Sequence, residues 1–166
     1  MQPLLRFLRP VFALLALSFL GACSSENEDP TPPPLAPGMS WTVDGGLMTT
    51  TTLQAQRSGN NLSIAGTVNP NGPTSSFLML SMPAAVGTYT FSLTTDASGT
   101  YSTRTNSGTE VYYAGATGLG TVTGTGSIVV TALTATSTSG TFAFTAINPA
   151  TGTAKSITSG KFTVGL

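Results

Sequence analysis

Histidine is absent from all 166 residues. That removes the usual general base, the middle member of a Ser-His-Asp triad and the commonest metal ligand. Charge is nearly as scarce. From Trp41 onward the only cations are Arg57, Arg104, Lys155 and Lys161, and the only acids Asp44, Asp96 and Glu110. Such a domain has no basic face for nucleic acid and no acidic array for cations. A glycosidase needs two carboxylates flanking a bond, yet Asp44 lies in "VDGG" and Asp96 in "TTDASG", turn sequences in which Asp bonds its own backbone. Ser-Lys chemistry would need Lys155 in "AKS" or Lys161 in "GKF", both read as surface lysines of an exposed hairpin strand. The sequence therefore predicts no catalytic residue, no metal and no enzyme activity. The single cysteine, Cys23, leaves no partner for a disulfide within the chain.

What is present begins with an address. Arg6 and Arg9 precede "VFALLALSFL", Val11 to Leu20. A basic start, a short apolar core and small residues after it have the form of a secretory signal. The core has about half of the roughly twenty residues that a transmembrane helix needs. Leu20, Gly21 and Ala22 then lead into Cys23. The order Leu, small, small, Cys resembles the lipobox of bacterial lipoproteins, against the alternative of a soluble export signal with an incidental cysteine. The resemblance implies cleavage before Cys23 and a diacylglyceryl group on its sulfur. It also implies an N-acyl chain such as palmitate on the new terminus. Several acyl chains hold a membrane stably where one is marginal.

Residues 23–40 follow as a lipidated Cys and a tether. Glu26, Glu28 and Asp29 cluster just after the cysteine, which is similar to the surface-export signal of Bacteroidota lipoproteins; an acidic run is also what a solvated spacer looks like. The expected location is the outer membrane, at the cell surface, with a periplasm-facing anchor as the alternative. Pro30, Pro32, Pro33, Pro34 and Pro37 exclude helix and interior strand and favour extended polyproline II. At about 3 Å per residue, Ser24 to Ser40 could hold a domain roughly 50 Å from the bilayer.

Residues 41–166 read as one β domain. Alternation at period two recurs: Leu62, Ile64 and Val68 share a face in "NLSIAGTV", as do Tyr89, Phe91 and Leu93 in "GTYTFSL", and Phe142 and Phe144 in "GTFAFTA". "SFLMLSM", Ser76 to Met82, is apolar on both parities, as suits a central strand buried on both sides. "RSGNN" at 57–61, "NPNGP" at 69–73 and "NPATG" at 148–152 are turn signals. Strands are predicted at about 41–44, 47–57, 61–68, 76–82, 88–94, 100–105, 110–114, 126–135, 139–147 and 154–164. In the last, Ile157 has odd parity but Phe162 and Val164 even, so a bulge near Gly160 is needed to keep one apolar face. The fold class is all-β: a single antiparallel β-sandwich or partly closed barrel of roughly eight to ten strands.

Gly124 to Val164 carries Thr131, Leu133, the run Ser139-Gly140-Thr141-Phe142 with Phe144, Thr151-Gly152, and Ile157, Thr158, Gly160 and Phe162. With Trp41, Asp44-Gly45 and the "GTY" at 87–89, this resembles an uncharacterised domain family of Bacteroidota lipoproteins. Members often place Trp after the Asn/Asp-Gly, whereas here Trp41 precedes it. The resemblance implies address and β fold and carries no activity.

Tyr112 and Tyr113, adjacent in "EVYYAG", must face opposite sides of a strand, so one is predicted to be exposed. Exposed Tyr stacks on sugar rings and anchors interfaces, which makes this pair the candidate ligand contact. Trp41 is read as a core plug. The expected role is a non-catalytic binding or structural module, attached to the membrane through its lipid, with a polysaccharide or protein ligand and no nucleic acid. The alternative is a carrier of a small hydrophobic ligand in a barrel cavity.

Overall fold

The computed structural model describes residues 36–116 and 121–166. The signal-like segment, Cys23 and the acids Glu26, Glu28 and Asp29 lie outside the described residues. Twelve strands form one sheet: β1 Gly38–Val43, β2 Gly46–Thr50, β3 Leu53–Ser58, β4 Asn61–Val68, β5 Ser75–Pro83, β6 Gly87–Thr90, β7 Ser98–Thr105, β8 Gly108–Ala116, β9 Val122–Thr123, β10 Thr125–Leu133, β11 Ser137–Ile147 and β12 Ala154–Gly165. The main path runs β2-β1-β12-β11-β8-β7-β5-β4-β3, and its pairings are antiparallel. β11 forks the sheet: its end touches β8 at Ile147↔Tyr113, while its body pairs with β10, which in turn holds β6.

The turns form where local chemistry asks for them. Asp44 and Gly45 both take positive φ, 48° and 85°, which closes the β1–β2 hairpin at Val43↔Gly46. A two-residue turn with both central φ positive matches the twist of its strands, and Asp-Gly is a preferred pair for it. Asn148 Oδ1 accepts hydrogen bonds from the Ala150 and Thr151 amides at 2.9 and 3.3 Å and so organises the β11–β12 turn. Gly72 donates its amide to the Asn69 carbonyl (3.1 Å) between β4 and β5.

The two ends of the path meet, which gives a nearly closed barrel. Thr50 Oγ1 at the end of β2 donates to the Thr67 carbonyl on β4 (2.5 Å), and the Thr67 amide donates to the Thr52 carbonyl (3.0 Å). The Met39 sulfur on β1 lies against Gly66 on β4, 2.8 Å from where a Cβ would stand. Inside is one core. Trp41, Leu62, Ile64, Leu80 and Ile128 have no exposed surface, and a chain of rings runs from Phe91 to Phe144 (5.7 Å), Phe142 (6.1 Å) and Phe162 (6.5 Å).

The bulge that the parity of β12 requires is there. Phe142 pairs with Gly160 but Phe144 with Ile157, and Ser40 pairs with Lys161 but Thr42 with Thr158. One extra residue of β12 is thus absorbed against each neighbour, Ser159 takes φ 53°, and Ile157, Phe162 and Val164 all point inward.

Several expectations are corrected. The predicted strand at 47–57 is two strands, because the hydrogen bonds at Thr50, Thr52 and Thr67 turn the chain between them. With the short β9, this brings the strands of the described residues to twelve, nine of them on the main path. β1 begins at Gly38, so Gly38–Ser40 belong to the barrel and not to the tether, and Met39 is buried. β5 is central but buried on one side only: Leu78, Leu80 and Met82 face in, whereas Met79 is 38% exposed, since no second layer of the described residues covers the sheet. The run at 88–94 ends at Thr90. Phe91 remains in the core, but Thr95 Oγ1 donates to the Thr90 carbonyl (2.5 Å) and Leu93 faces solvent.

Candidate functional site

The adjacent tyrosines of β8 separate as strand parity demands. Tyr112 is buried and Tyr113 is 43% exposed. The ligand-contact candidacy therefore passes to Tyr113 alone, because Tyr112 turns its ring inward. There Tyr112 packs on Tyr101 of β7 at 6.3 Å between centroids and donates its hydroxyl to Glu110 Oε2 (2.8 Å). Lys155 at the start of β12 lies over the Tyr112 ring, 5.9 Å from its centroid, and pairs with Asp44 of the β1–β2 turn. Such an ammonium is attracted by the ring face, so five side chains from β1–β2, β7, β8 and β12 make one polar cluster.

Each charge in this cluster has a local occupation. Asp44 holds Lys155, and Glu110 holds the Tyr112 hydroxyl. Asp96 is exposed, in the segment between β6 and β7. Among the described residues no three His, Cys, Asp or Glu side chains come together as a metal site. The Lys155–Asp44 pair is legible in neither partner's surroundings, because 111 positions separate them. With side chains 30% and 50% exposed, it contributes less than about 1 kcal/mol.

The cluster gives the barrel an alkaline limit. Burial pushes the Tyr101 hydroxyl above its ordinary value of 10.0, opposed by its contact with Ser76 and by the Lys155 charge. Lys155 is raised above 10.5, first by its hydrogen bond to Asp44. Both groups hold their proton more tightly when folded. The stability this linkage gives is complete below the unfolded values and is lost as pH rises through the higher folded ones. The melting temperature, followed by circular dichroism from pH 8 to 11.5, should fall above about pH 10, and Tyr101→Phe should make that fall shallower. An unchanged alkaline slope in Tyr101→Phe would assign the loss elsewhere.

Two further surfaces are candidates for contact. A cleft of about 590 Å³ lies where the chain enters the barrel, lined by hydroxyl residues including Ser40, Thr49 and Thr163, with Lys161 beside them. A second, of about 430 Å³, lies on the outer face of β3, β4 and β5. Its apolar walls are Phe77 and Met79, from the strand with the two-sided apolar pattern. That pattern was the signal for this surface.

No curated protein and no solved structure matches the chain. A family model described as a domain of unknown function, DUF6252, matches residues 36–165. The match covers all twelve strands, and the chain therefore belongs to the DUF6252 family.

Proposed function

We propose that this chain is a lipid-anchored envelope protein whose barrel serves as a non-catalytic binding module. The observation that carries the reading is the filled interior. Where a carrier of a hydrophobic ligand needs a hollow, Trp41, Leu62, Ile64 and Ile128 stand with no exposure and the phenylalanine rings touch in series. Recognition then falls to the outside of the sheet. The address rests on sequence: Leu20, Gly21, Ala22 and Cys23 as a lipobox of the kind found in Bacteroidota lipoproteins, then Glu26, Glu28 and Asp29. The proposed anchor is diacylglyceryl and N-acyl lipid on Cys23, in the outer membrane with the barrel facing outward.

Cys23→Ala tests the anchor. The wild-type chain should incorporate labelled palmitate and sediment with the outer membrane, since several acyl chains bind far more firmly than one. Cys23→Ala should lose the label and leave the membrane fraction. A variant that sediments as before would overturn the lipid anchor. Protease treatment of intact cells, with lysed cells as control, decides the side: cleavage before lysis places the barrel outside, and survival until lysis places it in the periplasm.

A further inference from the structure

Strand registers place the outward side chains of β3, β4, β5, β7 and β8 in rows across the sheet. One row reads Gln54, Ala65, Met79, Thr100 and Tyr113. The row on one side reads Thr67, Phe77, Ser102 and Val111, and that on the other Gln56, Ser63, Ser81 and Ser98. Neighbours within a row are about 4.8 Å apart, and rows about 6.7 Å. The relief alternates. On β4 the small Ser63 and Ala65 lie between the amides of Gln54 and Gln56 and the apolar Phe77 and Met79, which makes the 430 Å³ groove. Beyond the Met79 ridge, Thr100 is again small, and Tyr113 rises on the far side.

These three rows contain no charged residue. The nearest cation along β7, Arg104, belongs to the next row and donates to the Pro70 carbonyl (3.4 Å). Asp44 and Lys155 neutralise each other in the polar cluster. A ligand that fits this face by electrostatic complementarity has no net charge, because burying an unpaired ion against it would be costly. It presents hydroxyls to the Gln amides and to the Ser and Thr side chains, which can donate and accept, and apolar ring faces to Tyr113 and Met79. Length also matters, since the rows continue across four or five strands.

We propose that the outward face of β3, β4, β5, β7 and β8 binds a neutral polysaccharide, lying across the strands along the groove and the Tyr113 row. This rests on the reading of the barrel as a binding module and names its ligand class. The test is affinity electrophoresis of the full chain in mild detergent, with laminarin, dextran, mannan and hydroxyethyl cellulose cast separately into the gel and heparin as a charged control. At least one neutral polymer should retard the wild type. Tyr113→Ala and Met79→Ser should each weaken that retardation roughly five- to tenfold, and Tyr113→Phe should retain most of it. Both residues are exposed, so unchanged melting temperatures check that the variants fold. The inference is overturned if no neutral polymer retards the chain, if retardation ignores both substitutions, or if heparin alone retards it. The last result would leave the binding-module reading standing with a different ligand.

Discussion

Trp41→Ala is expected to lower the unfolding free energy by about 3–5 kcal/mol, a large part of the 5–15 kcal/mol that a domain usually has. Trp41 is fully buried in β1, with β2 on one side and the bulged stretch of β12 on the other. Truncation opens a cavity at a place where three strands hold one another and cannot easily collapse. Trp41→Phe should behave differently. The indole Nε1 is buried and has no hydrogen-bond partner among the described residues, and an unmet buried donor carries a desolvation penalty of about 1–3 kcal/mol. Phenylalanine removes that donor and keeps most of the ring, so its net cost should stay below about 2 kcal/mol. Urea unfolding at constant slope measures both. Equal losses in the two variants would show that the ring's bulk is not what matters.

Gly160→Ala should cost about 3 kcal/mol or more, at or above the upper end for overpacking. A Cβ there would stand 2.4 Å from the Phe142 ring and 2.5 Å from the Phe142 carbonyl oxygen. The ring cannot turn away freely, because it lies between Phe144 and Phe162. The neighbouring substitution should go the other way. Ser159 takes φ 53°, a conformation that costs an ordinary L-residue about 1–2 kcal/mol. Ser159→Gly relieves that strain but loosens the unfolded chain, so it should be neutral or stabilising by up to about 1 kcal/mol. Thermal melts of the pair test the bulge directly: if Gly160→Ala is tolerated, the strand can shed its extra residue in another way.

That bulge is the clearest case of tertiary structure readable in one strand. Ile157 and Phe162 differ in parity, and a sheet with one apolar face allows no other remedy. The Asp44-Gly45 and Asn148–Gly152 turns were equally legible, since their chemistry is local. The corner at Thr51–Thr52 was not. Threonine favours strand, and the chain turns there only because Thr67, fifteen or more residues on, offers both a carbonyl and an amide. Leu93 misled for a similar reason: its alternation continues, but the side chain of Thr95 takes the carbonyl that would have extended the strand. Of the candidate site, the exposure of one tyrosine in "EVYYAG" followed from parity. That Tyr113 stands in a row with Met79 and Gln54 depends on the registers of four strand pairs, which no single segment encodes.

The pairing of β1 with β12 sets the order in which the molecule can be completed. Gly38 lies opposite Thr163, so the first strand waits for nearly the last residues before it has its neighbour. Hairpins such as β3–β4 can close as soon as they emerge, but the seam between β1 and β12 forms last. Folds dominated by such distant pairings are slow, in the range of milliseconds to seconds. A chain threaded through a membrane from its amino terminus would therefore stay an open, unsealed sheet until β12 had followed, and would reach its final shape only on the far side.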